Sequence, residues 1–252
     1  MFGLRNQSGS CWVNATIQAV FRIPEVQTRY INAELETTNP VDSSLHEIWS
    51  SNGEEGLKDF YACVKTAVMP AGEGIGDSHE LLAFLCDKLP YLDSLLRFKV
   101  GNKVACTSCT HAETVVDSLI EFSISPPMKN QTLIESIQQA VTPIDIPDWT
   151  CEKCSKKGCK KQLLMSTFPT LFVFHVTSLK SSVTYSPIVV LNGFKYGLIA
   201  VVCWNGGHWW TYGRTLGGDW IEYDDSNVRN HGKTKFPLSN NVRLLFYYRI
   251  KE

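Results

Sequence analysis

The apolar residues of this chain change period partway along it, and that change constrains the fold more than any other feature. In the first part they recur at helical spacing. Trp12, Ala15, Ala19 and Val20 follow Gly9-Ser10 and end at Ile23-Pro24, which predicts a helix starting at or beside Cys11. Leu81, Leu82, Leu85 and Leu89 follow Asp77-Ser78-His79-Glu80, and Pro90 closes this second helix. From Leu171 the character is short β-rich runs: Leu171 to Val176, Tyr196 to Trp204, Trp209 to Tyr212, Trp220 to Tyr223 and Arg243 to Ile250, with Asn-Gly and Gly-Gly turns between them. Helices followed by an antiparallel sheet make an α+β chain, and that order permits a cleft between its halves.

No repeat, low-complexity tract or Pro- or Ser-rich linker divides the 252 residues, so residues 1–252 are expected to form one domain with a protruding module. A hydrophobic content of 44% is ample for its core. Lys and Arg number 24 against 25 Asp and Glu, and the densest basic patch is Lys156, Lys157, Lys160 and Lys161. That balance carries no nucleic-acid or anionic-membrane footprint. The first residues lack the pattern of a signal peptide, and no apolar stretch reaches the roughly 18 residues of a membrane span, so a soluble monomer is expected. Nine cysteines, an odd number that includes two Cys-x-x-Cys pairs, suit a reducing compartment, cytosol or nucleus, and metal or catalytic use rather than a disulfide framework.

Cys11 is the first candidate for chemistry. A thiol attacks only as thiolate, and a helix N-terminus offers partial positive charge and free N–H groups that lower its pKa and can hold an oxyanion. A cysteine taken at random is more often a buried packing residue. Context favours the reactive role. The run from Gly3 to Gln18, GLRNQSGSCWVNATIQ, resembles the cysteine box of the ubiquitin-specific proteases, roughly Gly-Leu-x-Asn-x-Gly-x-x-Cys-aromatic-x-Asn-Ala/Ser-x-x-Gln. The resemblance implies Cys11 as nucleophile and Asn6 as a side-chain donor to the oxyanion, beside the backbone N–H of Cys11. One position departs from the family: Ser8 stands where its glycine falls, and Gly9 comes one residue later.

A thiol protease also needs a base and a group that orients the base. Tyr196 to Trp209, YGLIAVVCWNGGHW, resembles the family's histidine box and implies His208 as general base. Trp220 to Val228, WIEYDDSNV, resembles the segment whose first acidic residue orients that histidine. The resemblance gives Asp224 this role, with Asp225 as the alternative; neighbours on a strand point to opposite faces, so only one of the two is expected to meet the imidazole. Leu244 to Arg249 is similar to the family's closing strand. His79 and His175 have no comparable context and are expected to be structural.

Two further features remain. Cys106-Thr107-Ser108-Cys109 and Cys151-Glu152-Lys153-Cys154 are knuckles about 40 residues apart, the spacing of a closed, structural Cys₄ zinc site holding one Zn²⁺ per chain. Cys159 is the alternative to Cys154. Two redox Cys-x-x-Cys motifs are the weaker reading, since neither sits at a strand-to-helix turn. The run Gly76 to Leu82 resembles the family's Gln-Asp-Ala-x-Glu-Phe-Leu segment; Asp77 and Glu80 suit either an N-cap or an acidic pair for the arginines of a ubiquitin tail.

The resemblance runs from Gly3 to Arg249 in family order, and it identifies a compact, divergent ubiquitin-specific protease. It implies a papain-like right hand: a helical thumb with Cys11, an antiparallel β palm with His208 and Asp224, and zinc-ribbon fingers at about 100–166. The implied function is a thiol-dependent deubiquitinase acting on ubiquitin or ubiquitinated proteins after the terminal Gly-Gly. Only five residues separate Val202 from His208, so a loop that would cover the tail is expected to be nearly absent. Two other activities share these motifs, an isopeptidase for another ubiquitin-like modifier and a viral papain-like polyprotein protease with a zinc ribbon.

Overall fold

The computed structural model describes residues 1–35, 38–69, 74–125, 131–177 and 183–250. Six helices come first: α1 (Cys11–Val20), α2 (Pro24–Ile31), α3 (Pro40–Ser50), α4 (Leu57–Val68), α5 (Ser78–Lys88) and α6 (Pro90–Leu96). Their boundaries follow from local chemistry. Pro24, Pro40 and Pro90 each open a helix, where the missing N–H costs nothing. Asn39 caps α3 by accepting from Val41 and Asp42, and Asp77 caps α5 by accepting from His79 at 2.8 Å. Glu80 makes no reciprocal bond to the cap among the described residues.

All ten residues of α1 are buried, so this helix runs through the core rather than along the surface. Its polar side chains therefore need internal partners. Asn14 Nδ2 donates to the carbonyl of Leu4 at 3.1 Å, Gln18 Nε2 to that of Phe2 at 2.9 Å, and Thr16 Oγ1 to that of Trp12 at 2.8 Å. The N-terminal segment is thereby stitched along the helix that follows it.

The remaining elements are β1 (Phe98–Cys106), β2 (Ala112–Leu119), β3 (Phe122–Ile124), β4 (Gln131–Thr132), α7 (Leu133–Val141), β5 (Ile144–Thr150), β6 (Lys157–Met165), β7 (Leu171–Val176), β8 (Val183–Thr184), β9 (Ile188–Leu191), β10 (Phe194–Trp204), β11 (Trp209–Arg214), β12 (Trp220–Asp224), β13 (Asn227–Gly232) and β14 (Val242–Arg249). The main sheet runs β13-β12-β11-β10-β14-β7-β3, with β9 also paired to β10. Its central strands are buried on both faces. Ala200, Val202, Leu171, Val173, Leu244 and Phe246 face the core around α1, while Leu198, Val201, Phe172, Phe174, Leu245 and Tyr247 face a second core behind the sheet.

The sheet is antiparallel except at one edge, where β3 pairs parallel with β7. That exception reflects chain order: β3 lies between the two hairpins of the protruding module, and a parallel neighbour requires a long crossover, here supplied by α7, β5 and β6. The module itself is a separate four-stranded antiparallel sheet, β2-β1-β6-β5. Most side chains of β2 and β5 are exposed, so little core holds this sheet together. β4 and β8 form a short parallel pair.

Candidate active site

α1 packs against β11 and β12 of the main sheet. The segment before α1 lies against the 225–226 turn that follows β12. Leu4 N–H donates to the carbonyl of Asp225 at 2.9 Å, and a Cβ on Gly3 would stand 2.6 Å from the carbonyl oxygen of Ser226. Only glycine permits that approach. Ser8 takes φ +55° and Gly9 φ +98°, so the serine adopts the left-handed conformation itself and the loop keeps its turn without a glycine there. The side-chain carbonyl of Asn6 accepts from Gly9 N–H at 2.9 Å and Ser10 N–H at 3.2 Å. Ser10, the N-cap of α1, makes no side-chain cap, so the first N–H groups of the helix around Cys11 are not taken up by it.

His208 lies just before β11. Asn205 Oδ1 accepts from Gly207 N–H at 3.0 Å and His208 N–H at 2.9 Å, which closes the Gly206-Gly207 turn and fixes the backbone that carries the imidazole. Nε2 of His208 meets Oδ1 of Asp224, the last residue of β12, at 2.6 Å. Asp225 does not lie on the opposite face, as simple strand alternation predicts. It sits in the two-residue loop between β12 and β13 at φ +53°, and its carboxylate lies within 4.8 Å of the His208 and Asp224 ligand atoms. A turn, unlike a strand, does not alternate sides. Asp225 Oδ1 accepts from Asn14 at 2.7 Å and Oδ2 from Asn6 at 2.8 Å.

Cys11 is 2% exposed. Burial pushes its thiol above the ordinary value and the charge of Asp225 adds to this, while the N–H groups of Trp209, Trp12 and Cys11 itself pull the other way. The depressed thiol expected at a helix N-terminus is therefore not the resting condition, because desolvation outweighs the helix end. Among the described residues no hydrogen bond joins Cys11 to His208; the largest of the lowering influences on the thiol is the backbone of Trp209, which follows His208.

A cleft of about 250 Å³ beside this group is lined by Ile75, Gly76, Asp77, Trp204, Trp209 and Arg243, among others. Gly76 admits the indole of Trp12, which a Cβ would meet at 2.6 Å. Asp77 thus both caps α5 and lines the cleft, whereas Glu80 is exposed and does not line it. The positions that sequence reasoning missed are Asn14 and Gly3 as partners of the 225–226 turn. Both belong to the quoted cysteine box, but their partners lie more than 200 residues away.

The four knuckle cysteines converge at the tip of the four-stranded sheet. Their sulfurs lie within 4.8 Å of one another, with Cys106 to Cys154 at 3.7 Å and Cys109 to Cys151 at 3.8 Å. A tetrahedral ion with Zn–S bonds of about 2.3 Å has S···S edges of about 3.8 Å, so these thiols could hold a metal ion of that size. Cys159 pairs across the strands with Cys106 but lies outside the quartet, its Sγ 3.9 Å from the carbonyl oxygen of Trp149.

The family model described as ubiquitin carboxyl-terminal hydrolase matches residues 2–247. Ubiquitin carboxyl-terminal hydrolase 1 of Arabidopsis thaliana is 30% identical over 133 residues, covering 49% of this chain and 12% of that protein. Ubiquitin carboxyl-terminal hydrolase 36 of Drosophila pseudoobscura pseudoobscura is 22% identical over 307 aligned positions, covering 97% of this chain and 29% of that protein. The chain therefore spans less than a third of the length of these curated relatives. Among solved structures, the SAGA DUB module of Ubp8, Sgf11, Sus1 and Sgf73 bound to monoubiquitin contains a chain that superposes with a TM-score of 0.85 at 17% identity, over 100% of this chain and 69% of that one. The same module bound to ubiquitin aldehyde gives 0.83 at 17% identity, over 100% and 70%. No helix among the described residues is long and apolar enough to cross a membrane. On the match across residues 2–247, this chain belongs to the ubiquitin carboxyl-terminal hydrolase family.

Proposed function

We propose that the protein is a thiol-dependent deubiquitinase that hydrolyses the bond after the C-terminal Gly-Gly of ubiquitin. The observation that carries this reading is the 2.6 Å contact of His208 with Asp224, set beside a cysteine that opens a buried helix. Donation of the Nε2 proton to Asp224 leaves Nδ1 as the basic nitrogen, and Asp224 stabilises the imidazolium that forms when Nδ1 takes the Cys11 proton. The thiolate attacks the glycine carbonyl carbon. The amine leaves with the proton from His208, and water then hydrolyses the thioester on Cys11. Asn6, with one amide N–H committed to Asp225, has a second to offer the oxyanion beside the N–H of Cys11. The ubiquitin-bound state of the structurally similar Ubp8 modules supports ubiquitin as partner.

Asp77 lines the cleft in a position to meet an arginine of the ubiquitin tail, and Glu80 would add a more peripheral charge. Cys106, Cys109, Cys151 and Cys154 would hold one structural Zn²⁺, which crosslinks the two hairpin ends of a sheet with little core. We read residues 1–252 as one catalytic domain with fingers at about 100–166, working as a monomer in cytosol or nucleus.

The test uses electrophilic probes built on the C-terminus of ubiquitin and of each ubiquitin-like modifier. Wild type should react with the ubiquitin probe fastest, and Cys11→Ala should lose labelling and reporter hydrolysis while keeping its fold and ubiquitin affinity. Full labelling of Cys11→Ala would remove the assignment. Preferred reaction with another modifier would move the substrate and keep the chemistry.

A further inference from the structure

A cavity of about 560 Å³ that Cys11 does not line is bounded by His79, Cys86, Arg97, Ser118 and Glu121, among others. His79 and Glu121 belong to its wall, with His79 Nε2 2.8 Å from Glu121 Oε1; His175, which lines the cleft beside Trp209 instead, has Nδ1 3.1 Å from the same oxygen. The three ligand atoms are within 4.8 Å of one another, and the two imidazoles stack at 4.3 Å. The glutamate side chain is only 10% exposed. Its second oxygen, Oε2, is buried with no hydrogen-bond partner. A carboxylate oxygen left bare in the interior costs desolvation energy, so the site as built is short of a cation or donor.

We propose that His79, Glu121 and His175 form a second metal site that takes a borderline divalent ion of the Zn²⁺ class. Two imidazoles and one carboxylate are the donor set of three-ligand zinc sites, with a fourth position left open to water or a substrate. Nitrogen donors select such ions over Ca²⁺ and Mg²⁺, which prefer all-oxygen shells. Tetrahedral bonds of about 2.0–2.1 Å require donor separations of about 3.3 Å, a few tenths beyond the present 2.8 and 3.1 Å. Rotation of the three side chains would open that space between the two ring nitrogens and a carboxylate oxygen, where the ion would sit.

The scaffold is rigid. His79 is fixed by the Asp77 cap of α5, His175 lies in β7, and Glu121 directly precedes β3, which pairs with β7 in register Ser123 to His175. Each ligand thus comes from a different element, and an ion would tie the helical half to the edge of the main sheet. The site is separate from the cysteine quartet and offers no thiolate.

Protein loaded with about one equivalent of Zn²⁺, which the four-thiolate quartet takes first, would be titrated with Co²⁺ at neutral pH. The expected result is one further equivalent with weak d–d absorption and no thiolate charge-transfer band, lost in both Glu121→Gln and His175→Ala while the quartet zinc stays. Circular dichroism checks that both variants fold; if either does not, His79→Gln replaces it. No further equivalent in folded wild type would overturn the site. So would an equivalent that survives these variants and disappears in Asp224→Ala, which would move the ion to the His208 cluster.

Discussion

Asn6 donates to Asp225 at 2.8 Å although 219 positions separate them, and Asn14 holds the other carboxylate oxygen at 2.7 Å. The two adjacent aspartates therefore divide their work: Asp224 bonds the imidazole of His208, and Asp225 fixes two amides of the cysteine segment.

That division predicts different losses. Asp224→Ala is expected to lower kcat by about a hundredfold or more with a smaller change in KM, the scale seen when triad members are removed. Asp225→Ala should cost less in kcat but destabilise the fold by about 1–3 kcal/mol, because it leaves one N–H of the buried Asn14 amide without its partner. Steady-state kinetics on a ubiquitin reporter, with denaturant melts of the same variants, separates the two; a larger kcat loss for Asp225→Ala would reverse the roles.

The raised pKa of Cys11 has a definite sign. Burial first, then the charge of Asp225, favour the neutral thiol, so iodoacetamide should modify the resting enzyme slowly at neutral pH and faster as pH rises beyond the ordinary thiol range. Asp225→Asn deletes a negative charge that opposes ionisation, and should shift the alkylation profile to lower pH. An unchanged profile would mean that Asp225 does not act on the sulfur.

Two small residues of the cysteine segment should respond differently. Ser8→Gly relieves a left-handed serine at a saving of about 1 kcal/mol, offset by about 0.4–1 kcal/mol of added unfolded-chain freedom, so its melting temperature should barely move. Gly3→Ala forces a methyl against the Ser226 carbonyl and must displace the turn that carries Asp225. Thermal melts and reporter kinetics should show a clear loss of both stability and kcat for Gly3→Ala alone.

Metal analysis should find about one tightly held zinc in the cysteine quartet. Cys106→Ser or Cys151→Ser should release it and loosen residues 98–165 to proteolysis, since metal binding and folding are coupled in a sheet with so little core. Cys159→Ser should keep the metal, because that sulfur lies outside the quartet. Loss of zinc on Cys159→Ser would exchange it for Cys154.

The sequence by itself determined whatever is local or ordered along the chain. Periodicity marked the helix at Cys11, the helix after Asp77 and the strands from Leu171 onward, and motif order placed Cys11, His208 and Asp224 in one family pattern. The knuckle spacing brought four cysteines together on paper before any fold was known. The tertiary structure alone decided what depends on distant partners. It set Asp225 in a turn facing Asn6 and Asn14, where strand alternation predicted it to face away. It buried Cys11 deeply enough for desolvation to outweigh the helix end, a balance no window of sequence contains. It also joined His79, Glu121 and His175, each unremarkable among its own neighbours, because α5, the approach to β3 and β7 meet only when the helical half packs on the sheet.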